Sequence, residues 1–164
     1  MKELLILRHA KSAHSNPMLG DHDRPLNDRG RAAAPRIGRL IAREGLHPDL
    51  VLCSSATRTV QTAELVKAAS GTDARMETIE SLYLAPARTI LETLVHRAGD
   101  SDRALVVGHN PGMEDVLDLL GLGRVEMPTA SLAHVRIDIA DWTMLGGGDQ
   151  ATLERFWLAR SLED

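Results

Sequence analysis

The feature that most restricts how this chain can fold is an alternation: a short apolar run, a polar turn, then a longer segment whose apolar residues recur at helical spacing. The runs fall at Glu3 to Leu7, Leu50 to Cys53, Met76 to Ile79 and Ala104 to Val107, and all are too short for helices. Strands alternating with helical segments predict an α/β fold of three layers, a mostly parallel sheet flanked by helices. The first helix is expected between Asn27 and Glu44, where Ala33, Ile37, Leu40 and Ile41 share a face and Gly45 supplies a stop. Pro35 and Gly38 lie inside that span. An interior proline costs about 3 kcal/mol, so the regular helix is expected to start near Ala32 or to be kinked.

A second helix, from about Ala56 to Ala69, places Val60, Ala63 and Val66 inward and is followed by Gly71. A third runs from Pro86, suited to a first helical position, through Ile90, Leu91, Leu94 and Val95 to Gly99. A fourth follows Pro111, with Met113, Val116, Leu117 and Leu120 inward. Beyond it the period changes to two: Ala133, Val135, Ile137 and Ile139 alternate with polar neighbours, Gly146 to Gly148 mark a turn, and Thr152 to Leu158 alternate again. This predicts a C-terminal antiparallel hairpin on the sheet edge. With 164 residues and neither repeat nor linker, residues 1–164 read as a single domain.

Composition narrows the functional classes. Hydrophobic residues at 43% and charged residues at 26% exclude a disordered or collagen-like chain. Aromatic residues are only 2% and the formal charge is −4 with no basic block, which argues against nucleic acid and against an anionic membrane as partner. Cys53 is the single cysteine, so no internal disulfide can form. The N-terminal apolar run ends at Arg8, short of a secretory signal, and no window is long enough to span a bilayer; a cytoplasmic location is the expectation.

In open α/β sheets, ligands bind beyond the carboxyl ends of the strands. Directly after the first run come Arg8 and His9, after the second Arg58, and after the fourth His109. Singly, each has a plain reading as a solvated charge or a hydrogen-bonded loop imidazole. Together they form a set: two guanidiniums offer forked donors to phosphoryl oxygens, a neutral imidazole is a competent nucleophile, and the N–H groups from Ala10 to Ser12 could add donors. The chemistry indicated is phosphoryl transfer to histidine.

Other phosphate chemistries fit less well. A cysteine phosphatase loop starting at Cys53 needs an arginine at position 59, which is Thr59. The Asp21-His22-Asp23 cluster, with His14 nearby, lies in a polar loop without a rigid element to set metal geometry. Gly146 to Gly148 lacks the Lys-Ser/Thr of a nucleotide loop. Neither a metal nor any other cofactor is expected.

Three segments carry a family resemblance: Leu7-Arg8-His9-Ala10-Lys11-Ser12, Ser54 through Ala63 with Thr57-Arg58-Thr59 at its centre, and Val107-Gly108-His109-Asn110-Pro111-Gly112. In order and strand placement they resemble the signatures of the histidine phosphatase superfamily. The short chain, with its Asp23-Arg24-Pro25-Leu26-Asn27 segment and Gly30, is similar to the small SixA-type phosphohistidine phosphatases. The resemblance implies a phosphoglycerate mutase-like fold in which His9 is transiently phosphorylated, Arg8 and Arg58 hold the phosphate, and His109 completes the pocket. It implies a metal-independent phosphatase whose partner is a phosphorylated protein carrying phosphohistidine; a small phosphorylated molecule hydrolysed as a monoester is the alternative, and a non-catalytic phosphoprotein-binding module a further one.

The chain departs from the family pattern at Ala10, where glycine is usual and a methyl would narrow the pocket. Lys11 and Asn16 stand where mutase-like relatives differ in residue or register. Glu80 is the nearest candidate for the general acid of ester-hydrolysing relatives, and a solvated loop carboxylate is an equal reading of it. Arg24 is a further candidate for the phosphate whose position in the loop leaves the assignment open.

Overall fold

A computed structural model describes residues 1–146 and 150–164. Six strands, β1 (Lys2–Arg8), β2 (Leu50–Ser54), β3 (Arg75–Ile79), β4 (Arg103–Gly108), β5 (Ser131–Ile137) and β6 (Ala151–Leu158), form one sheet in the order β3-β2-β4-β1-β5-β6. The first four are mutually parallel; β5 runs antiparallel to β1, and β6 antiparallel to β5 at the edge. The expected terminal hairpin is present. Its first strand ends at Ile137, two residues before Ile139, and Gly147 and Gly148 of the expected turn lie outside the described residues.

Four helices cover the sheet: α1 (Asp28–Arg43), α2 (Thr57–Ser70), α3 (Ala87–Arg97) and α4 (Gly112–Leu119). Successive strand side chains point to opposite faces, so each apolar run feeds two cores. Leu4, Ile6, Leu50, Leu52, Ala104 and Val106 pack toward Ile90 and Leu94 of α3 and Val116 and Leu117 of α4. Leu5, Leu7, Val51, Cys53, Leu105 and Val107 pack toward Ala34, Ile37 and Ile41 of α1 and Ala63 and Val66 of α2. Burial on both faces explains why the central runs are continuously apolar; in edge strand β6 no residue is fully buried, and the expected alternation is broken by the run Phe156-Trp157-Leu158 and by a register shift in its pairing with β5.

Helix α1 corrects one expectation. It starts at Asp28, capped by Asn27, whose side-chain oxygen accepts from Gly30 N at 2.9 Å, and it continues through Pro35. Tertiary contact overrides propensity here. A Cβ on Gly38 would lie 2.5 Å from the Val66 carbonyl and 2.6 Å from Ala69 Cβ, so Gly38 is where α1 and α2 cross at backbone distance. In α2 the inward face is partly polar: Thr59 donates to Ser54 O at 2.8 Å and Thr62 to Arg58 O at 2.7 Å, whereas Val60 is only half-buried.

Candidate active site

Strands β1 and β4 are neighbours, yet the helices that follow them lie on opposite faces, α1 on one and α4 on the other. Their connections diverge and leave a crevice at the carboxyl edge, the topological switch point of the sheet. His9 follows β1 and His109 follows β4 at this point, with ring centroids 5.3 Å apart. Arg58 arrives from the first turn of α2, and its Nη2 lies 3.2 Å from His109 Nδ1. Arg8 reaches the same cavity while donating to Met127 O at 3.0 Å. All four residues singled out from the sequence therefore converge on one cavity of about 260 Å³.

The tautomer of His9 follows from its partner. Nδ1 lies 2.7 Å from Ala10 O, and a carbonyl only accepts, so Nδ1 carries the proton and Nε2 keeps its lone pair. Burial, reinforced by the charges of Arg58, Arg8 and Arg24, lowers the His9 pKa to about 4. The same influences, burial first and then Arg58 and His9, lower that of His109 to about 3. Both imidazoles are neutral near pH 7. For His109, an arginine can only donate, so Nδ1 accepts from Arg58 and Nε2–H donates to Ser54 Oγ at 2.7 Å.

Three contributors were not assigned a role from the sequence. Asp21 accepts from Arg58 twice, through its backbone oxygen at 2.7 Å and Oδ2 at 3.0 Å, and from Arg24 through Oδ1 at 2.9 Å. The Tyr83 hydroxyl also donates to Asp21, and this bond, with those from Arg24 and Arg58, holds the carboxyl far below the usual carboxylate range. The Tyr83 ring stands edge-on to His109 with centroids 5.5 Å apart. Ser54, at the end of β2, is fully buried and orients His109. Only Ser54, adjacent to a strand end in the motif containing Arg58, carried a readable signal.

Several expectations change. Ala10 is fully buried beneath the cavity without lining it, and its φ is not positive, so the methyl neither narrows the pocket nor strains the backbone. Its N–H donates to Thr62 Oγ1 at 3.0 Å and is not available to an anion. The loop after it is set by Gly30, where a Cβ would sit 2.1 Å from the Lys11 carbonyl. Arg24, left open from the sequence, lines the cavity and donates to Ser12 Oγ at 2.9 Å. Glu80 is exposed and does not line it, and neither does Asn16, which caps Met18 N. Leu84 does, from the left-handed region at φ 50°.

The polar loop weighed as a metal site spends its donors elsewhere. His22 Nε2 pairs with Ser55 Oγ at 2.9 Å and Asp21 holds the arginines. Among the described residues, no three His, Cys, Asp or Glu side chains are grouped to hold a metal ion, and no helix is long and apolar enough to cross a membrane. Cys53 is buried between strands and burial raises its pKa, consistent with a packing role.

Comparison with known proteins gives consistent results. The family model of the histidine phosphatase superfamily (branch 1) matches residues 4–83, the span of His9 and Arg58, with His109 beyond it. An uncharacterised chloroplast protein of Arabidopsis thaliana is 30% identical over 86% of this chain and 69% of its own. An uncharacterised Mycobacterium tuberculosis protein is 42% identical over 64% of this chain, which spans only 63% of that relative. Among solved structures, the Agrobacterium tumefaciens protein assigned as the phosphohistidine phosphatase SixA superposes with TM-score 0.81 at 29% identity, covering 96% of this chain and 97% of that one. Arg8, His9 and Arg58 lie within the matched family segment, His109 completes the same cavity, and the six-stranded mixed sheet superposes over nearly its whole length: the chain belongs to the histidine phosphatase superfamily and is of its small SixA type.

Proposed function

We propose that the chain is a metal-independent phosphatase that forms a phosphohistidine intermediate on His9 and takes phosphohistidine in a protein as its substrate. The observation that carries this reading is an unprotonated, unpaired Nε2 on His9, in a cavity with the guanidiniums of Arg8, Arg24 and Arg58. In the first step Nε2 attacks phosphorus, the bond from phosphorus to the leaving imidazole breaks, and that imidazole takes up a proton. In the second, water attacks phosphorus, the Nε2–P bond breaks, and inorganic phosphate leaves. The Ala10 carbonyl stabilises the positive ring of phosphorylated His9 through Nδ1–H. An arriving phosphoryl dianion draws Arg58 from His109 Nδ1 and offsets the positive charge that keeps this ring neutral, so that Nδ1 takes a proton from solvent water and donates to a phosphoryl oxygen.

The substrate class follows from what lines the cavity. No carboxylate is among the described lining residues, and Asp21 beside it is held ionised. An alkoxide leaving group needs a delivered proton, worth typically ~10² to 10⁴ in rate. An imidazole, with a reference pKa of about 6.5 when protonated, leaves without a dedicated carboxylic acid. Phosphohistidine and aryl phosphates are therefore favoured over alkyl monoesters, and retention of both histidines favours turnover over binding alone.

The test is a panel of phosphohistidine protein, phosphoramidate, aryl phosphate and alkyl phosphate, read as relative kcat/KM, with acid-labile phosphoenzyme trapped by rapid quench. His9→Ala is expected to lose turnover and phosphoenzyme together while remaining folded. Turnover of that variant within tenfold of the unsubstituted protein, or equal efficiency on alkyl phosphates, would overturn the assignment.

A further inference from the structure

A second groove of about 270 Å³ opens beside the catalytic cavity, between the first half of α1 and the segment after β6. Lys11 and Thr129 line both, so the two spaces adjoin. The groove is lined by four cations, Lys11, Arg29, Arg36 and Arg160, and by no acidic side chain. Among the described residues, only Arg36 of these four has a carboxylate partner, Asp164. In a chain of net charge −4, this concentration of unneutralised cations runs against the overall field.

The spacing indicates what the cations face. With Arg36 paired to Asp164, the cations without a carboxylate partner among the described residues are Lys11, Arg29 and Arg160, which come from the loop after β1, the first turn of α1 and the segment after β6, so the free charge is spread over three elements. Between the cations the floor is apolar, formed by Ala33, Ala130 and Leu158. Charge at intervals over a small-residue floor complements an extended surface with several carboxylates.

We propose that this groove docks an acidic polypeptide surface flanking the phosphorylated side chain of the substrate. The proposal rests on the phosphohistidine reading above and adds the chemistry of the partner: acidic residues lie along α1 while the phosphoryl group enters between His9 and Arg58. Lys11, shared by both spaces, bridges the two anionic parts.

The probe is a fluorescent peptide bearing a non-hydrolysable phosphohistidine analogue flanked by glutamates, with a glutamine-flanked counterpart, and the readout is Kd by anisotropy. Arg29 and Arg160 are exposed and stand apart from the catalytic cavity, so the double charge reversal Arg29→Glu/Arg160→Glu leaves the core intact. Expected results are a Kd at least tenfold weaker in the double variant, a smaller weakening in Arg29→Gln/Arg160→Gln, and loss of the same preference in high salt. Turnover of an aryl phosphate, which does not reach the groove, stays within twofold. Equal Kd for acidic and neutral peptides, unchanged Kd in the double variant, or a parallel loss of aryl phosphate turnover would overturn the proposal. So would inorganic pyrophosphate displacing the acidic peptide from the unsubstituted protein but not from the double variant, which would make a small polyanion the occupant. Peptide binding is measured without hydrolysis. Failure of the phosphohistidine reading would appear instead as absent turnover with the charge-dependent Kd intact.

Discussion

Acidification of the phosphate-free protein should destabilise it through His9 and His109, the two histidines of the cavity at the sheet edge. Their pKa values in the folded chain, about 4 for His9 and about 3 for His109, lie below the unfolded reference of about 6.5. Below that reference the unfolded chain binds protons that the folded chain does not, so the stability present above it is lost as pH falls toward the folded values. At about pH 5 an unfolded imidazole gains roughly 2 kcal/mol from protonation and the folded one almost nothing, so the pair costs ~4 kcal/mol relative to about pH 7.5. Both side chains are deeply buried, at 7% and 3% exposure, so solvent does not screen the effect away. Against a typical total of ~5 to 15 kcal/mol, the loss is readily measured. Urea unfolding of the unsubstituted protein and of His9→Gln/His109→Gln at both pH values isolates it, because every other group cancels between the two proteins. Saturating inorganic phosphate should restore most of the stability by giving the protonated rings an anionic partner. A difference between the two proteins below ~1 kcal/mol would refute the claim that burial and the arginines hold these rings neutral.

Gly38→Ala places a methyl against the Val66 carbonyl and Ala69, and should cost ~1 to 3 kcal/mol in chemical denaturation; a neutral or stabilising result would show that the α1–α2 crossing can open freely. Asp21→Asn removes the anion that competes with phosphate for Arg58 and Arg24 while keeping an oxygen acceptor, so product inhibition by inorganic phosphate should tighten about threefold, a gain in the range of an exposed ion pair. A weaker Ki would instead make Asp21 a residue that positions Arg58. Incubation with EDTA should leave aryl phosphate turnover unchanged, and loss restored by zinc or magnesium would implicate Asp21, His22 and Asp23 as ligands.

The strands, their order along the chain and the convergence of Arg8, His9, Arg58 and His109 on one cavity were legible because each depends on a local pattern. A strand buried on both faces must be apolar at every position, as Leu4 to Leu7 are, and a parallel sheet exposes the residue after each strand at one edge, which brings His9 and His109 together. Helix α1 was read less well, because the same residues that oppose helix locally are there for a neighbour: Gly38 admits the backbone of α2, and no helical period records that. The electrostatic setting of the site was not legible at all. Asp21 meets Arg58 across 37 residues of sequence and Tyr83 across 62, and Ser54 reaches His109 across 55. Hydrophobic periodicity reports how much of a side chain is removed from water; which polar group meets which is decided by the crossing of loops at the sheet edge. Residue types and strand ends thus determined which chemistry the chain could perform, and tertiary structure alone decided the tautomers, the lowered pKa values and the partner of each guanidinium, because those depend on distances of about 3 Å between groups remote in sequence.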